Sequence, residues 1–174
     1  MHELTTLKLG GCPQLTKMGI QRIINTFPYL EEIDVSGCHR LSNTAIAMLL
    51  SSYSSLRLLK ASHLPVDDGA FDGADDKGMI DMMGLGQVLG WTLTHLHLDS
   101  CAITDRALDA ISRGALNIEH LSVRWCSNLT LQGVQRFLMS SPNMQSIDVT
   151  DLGFANTALS FFPGRVINPS WLDS

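Results

Sequence analysis

One phrase recurs six times along the chain, and repetition at a fixed interval constrains a fold more tightly than composition can. It reads L-T-T-L-K-L-G-G-C-P-Q-L-T from Leu4 and L-E-E-I-D-V-S-G-C-H-R-L-S from Leu30. It returns as L-T-H-L-H-L-D-S-C-A-I-T from Leu93 and as I-E-H-L-S-V-R-W-C-S-N-L-T from Ile118, with weaker copies from Leu56 and Met144. The starts lie 26, 26, 37, 25 and 26 residues apart, so the long interval is one repeat carrying an insertion.

Counted from its first residue, each phrase is apolar at positions 1, 4, 6 and 9. Positions 4 and 6 alternate, as on a half-buried strand: Leu7 with Leu9, Ile33 with Val35, Leu96 with Leu98, Leu121 with Val123, Ile147 with Val149. The residues between phrases have helical spacing, as in Met18, Ile20, Ile23 and Ile24, or Ala45, Ile46, Leu49 and Leu50. Thr16, Ser42, Thr104 and Thr130 stand where helix caps belong, and Pro28 and Pro142 where helices stop. The pattern predicts an α/β solenoid with parallel strands on a concave face and helices on a convex one. No unit buries its apolar face alone, so stability comes from stacking neighbours.

Three of the four cysteines that share position 9 are separated from the next by a repeat or more: Cys12, Cys38, Cys101 and Cys126. None forms the close pair that a zinc knuckle needs. Leu64 and Leu152 take the same place in the other copies, as a packing role predicts and a redox role does not. Free buried thiols favour a reducing, intracellular compartment.

The pattern Leu-x-x-Leu-x-Leu-x-x-Cys-x-x-Leu-Thr followed by a helix resembles the cysteine-containing leucine-rich repeats, best known from the repeat domain of F-box/LRR proteins. The resemblance spans about residues 4 to 152. It implies a substrate-recruiting surface for a cullin-RING ubiquitin ligase, with the adaptor-binding module elsewhere, outside this chain, or absent. The helical F-box of that family is not visible, since the chain opens on a strand. The alternative is a stand-alone repeat scaffold or regulatory adaptor without a ligase role. Leu4, Leu7 and Leu9 have no cap before them, so the first repeat is expected to present an open edge, as in a fragment or a chain on which something docks.

Positions 3, 5 and 7 should form three columns on the strand face opposite the core. They supply the expected protein-binding residues Glu32, Asp34, Lys60, His95, His97, Asp99, His120, Arg124 and Asp148, with Trp125 at the rim. Arg124 and Trp125 lead this set, because Arg and Trp are enriched at energetic hot spots. His95, His97 and His120 would cluster, which reads first as plain polar surface, then as a pH-sensitive patch, and last as a metal site.

The acidic stretch 65–78 carries five Asp and one Lys and reads as a mobile loop. Met79 to Leu89 restore a helix after it, and 153–174 read as a C-terminal cap or tail. The whole 1–174 is expected to be one domain. With a net charge of −5 the chain has no footprint for nucleic acid or for an anionic membrane surface. No nucleophile elbow, phosphate loop or HExxH motif occurs, so neither an enzyme nor a cofactor is expected.

Overall fold

The computed structural model describes residues 4–71 and 92–154. The expected helix at Met79 to Leu89, the second half of the acidic stretch and nearly all of the C-terminal tail lie outside the described residues. Each phrase contributes one three-residue strand: β1 Thr6–Lys8, β2 Glu32–Asp34, β3 Leu58–Lys60, β4 His95–His97, β5 His120–Ser122 and β6 Ser146–Asp148. Helices of ten residues follow four of them: α1 Lys17–Thr26, α2 Asn43–Ser52, α3 Asp105–Gly114 and α4 Leu131–Ser140. After β3 comes a single 3-10 turn, Asp68–Ala70.

The strands pair in parallel and in chain order, each residue opposite the same phrase position in the next repeat. Register follows from burial. Position 4 is buried in every copy but the first, and a one-residue slip would turn that column to the other face. Ile33, Leu59, Leu96, Leu121 and Ile147 are all fully buried. Helix residues such as Ile46, Leu49, Ile111, Val134 and Phe137 close over them into one continuous core. Each such side chain contributes roughly 1.5–3 kcal/mol by leaving water.

Position 8 is where the chain leaves the strand, and it has positive φ in all six copies. Gly11 and Gly37 take that conformation without strain, at φ 73° and 71°. His63, Ser100 and Trp125 hold it at 56° and Asp151 at 66°, although side chains with a Cβ disfavour it.

The thiols follow directly. Cys38 Sγ donates to the Leu9 carbonyl at 3.2 Å, Cys101 to Ala61 at 3.3 Å and Cys126 to Leu98 at 3.1 Å. Each acceptor is position 6 of the preceding repeat, so a position-9 cysteine ties its own turn to its neighbour's strand. Burial pushes Cys101 up to about 11 and Cys126 to about 12, which keeps both thiols protonated and able to donate.

Two expectations need correction. The helix starts stand where expected, yet only Thr104 and Thr130 bond the helix backbone, at Arg106 N–H (3.3 Å) and Gly133 N–H (3.1 Å). Thr16 and Ser42 make no side-chain cap. The difference lies in the preceding repeat. Asp68 accepts the N–H and Oγ1–H of Thr104 at 2.7 and 2.6 Å, and Asp105 accepts those of Thr130 at 2.9 and 2.6 Å. With its proton committed to a carboxylate, the hydroxyl oxygen is aimed at the helix. Before Ser42 the equivalent residue is Lys17, which accepts nothing.

The second correction concerns the acidic stretch, whose first residues are not a free loop. Val66, Ala70 and Phe71 are buried in the core. Asp67 exchanges two hydrogen bonds with Asn43 (3.0 and 2.5 Å), and Asp68 serves Thr104 as above. Residues 65–71 thus form the turn and the 3-10 segment of the third repeat.

Candidate functional site

The strand face turned away from the helices carries the columns expected there. Position 3 runs Thr6, Glu32, Leu58, His95, His120, Ser146, and position 5 runs Lys8, Asp34, Lys60, His97, Ser122, Asp148. The two ends differ in character. Around β1 to β3, Thr6, Lys8, Glu32, Asp34, Leu58 and Lys60 line a shallow hollow of about 110 Å³. Leu58 is its one apolar side chain, ringed by two ammonium and two carboxylate groups. Toward β6 the position-5 column sinks: His97 is 6% exposed, while Ser122 and Asp148 are fully buried.

Position 7 divides into residues that hold the stack and one that does not. Ser36 Oγ accepts the Ser62 N–H at 3.3 Å, Ser62 Oγ accepts the Asp99 N–H at 3.0 Å, and Asp99 Oδ1 accepts the Arg124 N–H at 3.0 Å. Asp99 also takes the Ser122 hydroxyl at 2.5 Å. This polar ladder joins four consecutive repeats, and it satisfies turn amides that would otherwise be orphaned. Asp99 is therefore a scaffold residue, 8% exposed, rather than a contact residue on the surface. Asp34 and Asp148 are partly occupied too, bonding the N–H groups of Ser36 (2.9 Å) and Thr150 (2.8 Å) within their own turns.

Arg124 ends the ladder, because a guanidinium cannot accept. Its Cζ sits 4.1 Å from the ring centroid of Trp125, and its Nη2 lies 3.9 Å from Asp151 Oδ2. Its Nε is buried without a hydrogen-bond partner. Trp125 is 46% exposed and sits in the left-handed backbone region. An indole held half in water, on strained backbone, beneath a cation is the most function-like combination on the described surface.

His95 and His120 come together, ring centroids 4.4 Å apart and tilted by 36°. Thr94 Oγ1 lies 2.8 Å from His95 Nδ1, and Ser146 Oγ lies 2.7 Å from His120 Nδ1. Burial lowers both pKa values, and the His120 charge lowers that of His95 further. His97, in the next column, is lowered to about 4, first by burial and then by the Lys60 ammonium. Among the described residues no group of three or more His, Cys, Asp or Glu converges as metal ligands. No helix there is long and apolar enough to cross a membrane.

The position-7 ladder and the Asp–Thr ties escaped sequence reasoning. Their trace was present, in small acceptors (Ser36, Ser62, Asp99) at one phrase position of successive repeats and in Asp68 and Asp105 at the first helical position.

A leucine-rich-repeat family model matches residues 92–112. F-box/LRR-repeat protein 21 of Arabidopsis thaliana is 31% identical over 140 residues, covering 76% of this chain and 46% of that protein. F-box protein SKIP1 of the same plant is 23% identical over 154 residues, 84% of this chain and 43% of its own length. The chain spans less than half the length of these curated relatives. Among solved structures, a chain of the yeast Rad7 and Elc1 complex superposes with a TM-score of 0.59 at 18% identity, covering 92% of this chain and 36% of that one. The tropomodulin C-terminal domain of Caenorhabditis elegans gives 0.58 at 11% identity, covering 81% and 84%. At such identities the structural likeness speaks for the fold alone.

Proposed function

We propose that this chain, a leucine-rich-repeat module similar to F-box/LRR-repeat proteins, is the substrate-recognition part of an F-box-type ubiquitin-ligase receptor. It works inside the cell and binds its protein ligand across the concave strand face. The curated relatives support the ligase setting, and the cullin-RING connection would come through a module outside this chain. The observation that carries the binding reading is Arg124 with Trp125. Along position 7 the side chains of Ser36, Ser62 and Asp99 accept a turn amide of the next repeat, whereas that of Arg124 reaches only Trp125 and, at 3.9 Å, Asp151. Its neighbour Trp125 occupies backbone that Gly takes more cheaply in the first two repeats. Side chains only loosely tied to the scaffold, one of them on strained backbone at its surface, are suited to a partner.

On this reading Glu32, Lys60, His95 and His120 add specificity around the Arg124–Trp125 anchor. His97, Asp99 and Asp148 set its shape from below. A photo-crosslinking amino acid at position 125 of the full chain, in cells of its own source, tests this. The expected result is a crosslinked protein that is lost with Arg124→Glu, and whose cellular level rises when the chain is depleted. An adduct insensitive to Arg124→Glu would remove the binding site. A crosslinked protein whose level ignores depletion would remove the ligase role and leave the scaffold reading.

A further inference from the structure

The first repeat is built like the others, but its outward side is unfilled. Leu7, Leu9, Cys12, Leu15, Ile23, Ile24 and Phe27 are only partly buried. Their counterparts 26 residues later, Ile33, Val35, Cys38, Leu41, Leu49, Leu50 and Tyr53, are at most 2% exposed. Leu4 is 41% exposed where Leu30 is fully buried.

The polar groups repeat this pattern. Every other position-9 thiol donates to a position-6 carbonyl of the repeat before it, and Cys12 Sγ makes no such bond. The amides at positions 2 and 3 bond the position-2 carbonyl of the preceding repeat, as Glu31 and Glu32 do to Thr5 at 2.8 and 2.9 Å. The amides of Thr5 and Thr6 occupy the same positions on the edge of β1 that no described strand pairs. Thr16 carries the N–H and hydroxyl that Thr104 and Thr130 give to a carboxylate one repeat earlier.

We infer that this face is an interface for one more leucine-rich repeat, stacked parallel to β1, with Asp or Asn at its first helical position. Continuity with the five existing repeat interfaces carries the assignment. A two-fold pairing of this face with a second copy would run β1 against β1 antiparallel, which fits neither the thiol nor the amide pattern.

The test fuses a copy of residues 93–117, which contains Asp105, directly ahead of Leu4 in the full chain. A second fusion carries Asp105→Lys within the added copy only. The expected result is at least a tenfold slower reaction of Cys12 with a thiol reagent and slower amide exchange at Thr5 and Thr6. The unfolding midpoint should rise, and rise less with the Lys version. Unchanged Cys12 reactivity and amide exchange in a folded fusion would overturn the inference. So would Cys12 protection in the unfused chain that grows with concentration alongside a doubled sedimenting mass, since a second copy would then be the occupant. Equal midpoints for the two fusions would overturn the requirement for Asp or Asn.

Discussion

Asp105 holds Thr130, one repeat later in the chain, by both hydrogen bonds that threonine has to give, the N–H at 2.9 Å and Oγ1–H at 2.6 Å. The contact is possible because residue 133 is glycine. A Cβ there would overlap the Asp105 carboxylate and meets nothing else nearer. Asp105→Ala should cost about 1–2 kcal/mol in chemical denaturation, the value of an oriented N-cap. Gly133→Ala should destabilise the native chain by displacing Asp105. In the Asp105→Ala background the same change should stabilise by up to ~1 kcal/mol, since Ala outranks Gly in a helix. A double-mutant cycle without that reversal of sign would dissolve the tie.

Arg124 and Trp125 should be dispensable for folding. Arg124→Ser and Trp125→Gly are each expected to leave stability within ~0.5 kcal/mol of the parent. For Trp125→Gly, relief of the left-handed backbone offsets lost packing and the greater freedom of the unfolded chain. Trp125→Val, β-branched at positive φ, should lose about 1–2 kcal/mol. Urea titrations of the three variants decide this, and a large loss for Trp125→Gly would make Trp125 a structural residue.

The buried thiols predict a decline in alkali. Their ordinary value is 9.0, and burial raises Cys101 to about 11 and Cys126 to about 12. The unfolded chain therefore binds fewer protons than the folded one above pH 9. The stabilising contribution is complete below that value and is lost as pH rises toward 11 to 12. Unfolding midpoints measured across this range should fall, and fall less steeply in Cys101→Ala. At neutral pH a thiol reagent should modify Cys12 first. Cys126→Asp should unfold the chain at moderate temperature, because it buries an unpaired charge.

His97 predicts the acid side. Its folded value of about 4 lies below the ordinary 6.5, chiefly through burial. Its contribution is present above 6.5 and is lost as pH falls through 4. His97→Phe should flatten the stability profile between those limits, measured by thermal unfolding at stepped pH. A profile unchanged by the substitution would mean that His97 titrates normally.

Much of this architecture was legible because apolar burial has a period. Leu7, Ile33, Leu59, Leu96, Leu121 and Ile147 announce one column, and the register of every strand follows from it. Polar ties between repeats have no such period. Asp105 reaching Thr130, or Ser62 reaching Asp99, depends on pairs 25 and 37 residues apart, and each residue alone is unremarkable in its phrase. The left-handed turn was half legible. Gly11 and Gly37 mark it, but His63, Ser100, Trp125 and Asp151 adopt it against their preference. Of the candidate site, the columns were correct in place. Asp99, His97 and Asp148 were misjudged as surface because position in a strand says which way a side chain points, not how deeply it lies.

The ties between successive helix starts begin only where the Asn43 amide meets Asp67, since Lys17 offers Ser42 nothing. A stack whose joints are unequal does not come apart at random. Heat or mechanical load should peel this one from α1 inward, repeat by repeat, with the β4 to β6 segment surviving longest as an ordered remnant. The same inequality gives the chain a polarity during assembly: the later repeats close first, and the first repeat is the last to settle.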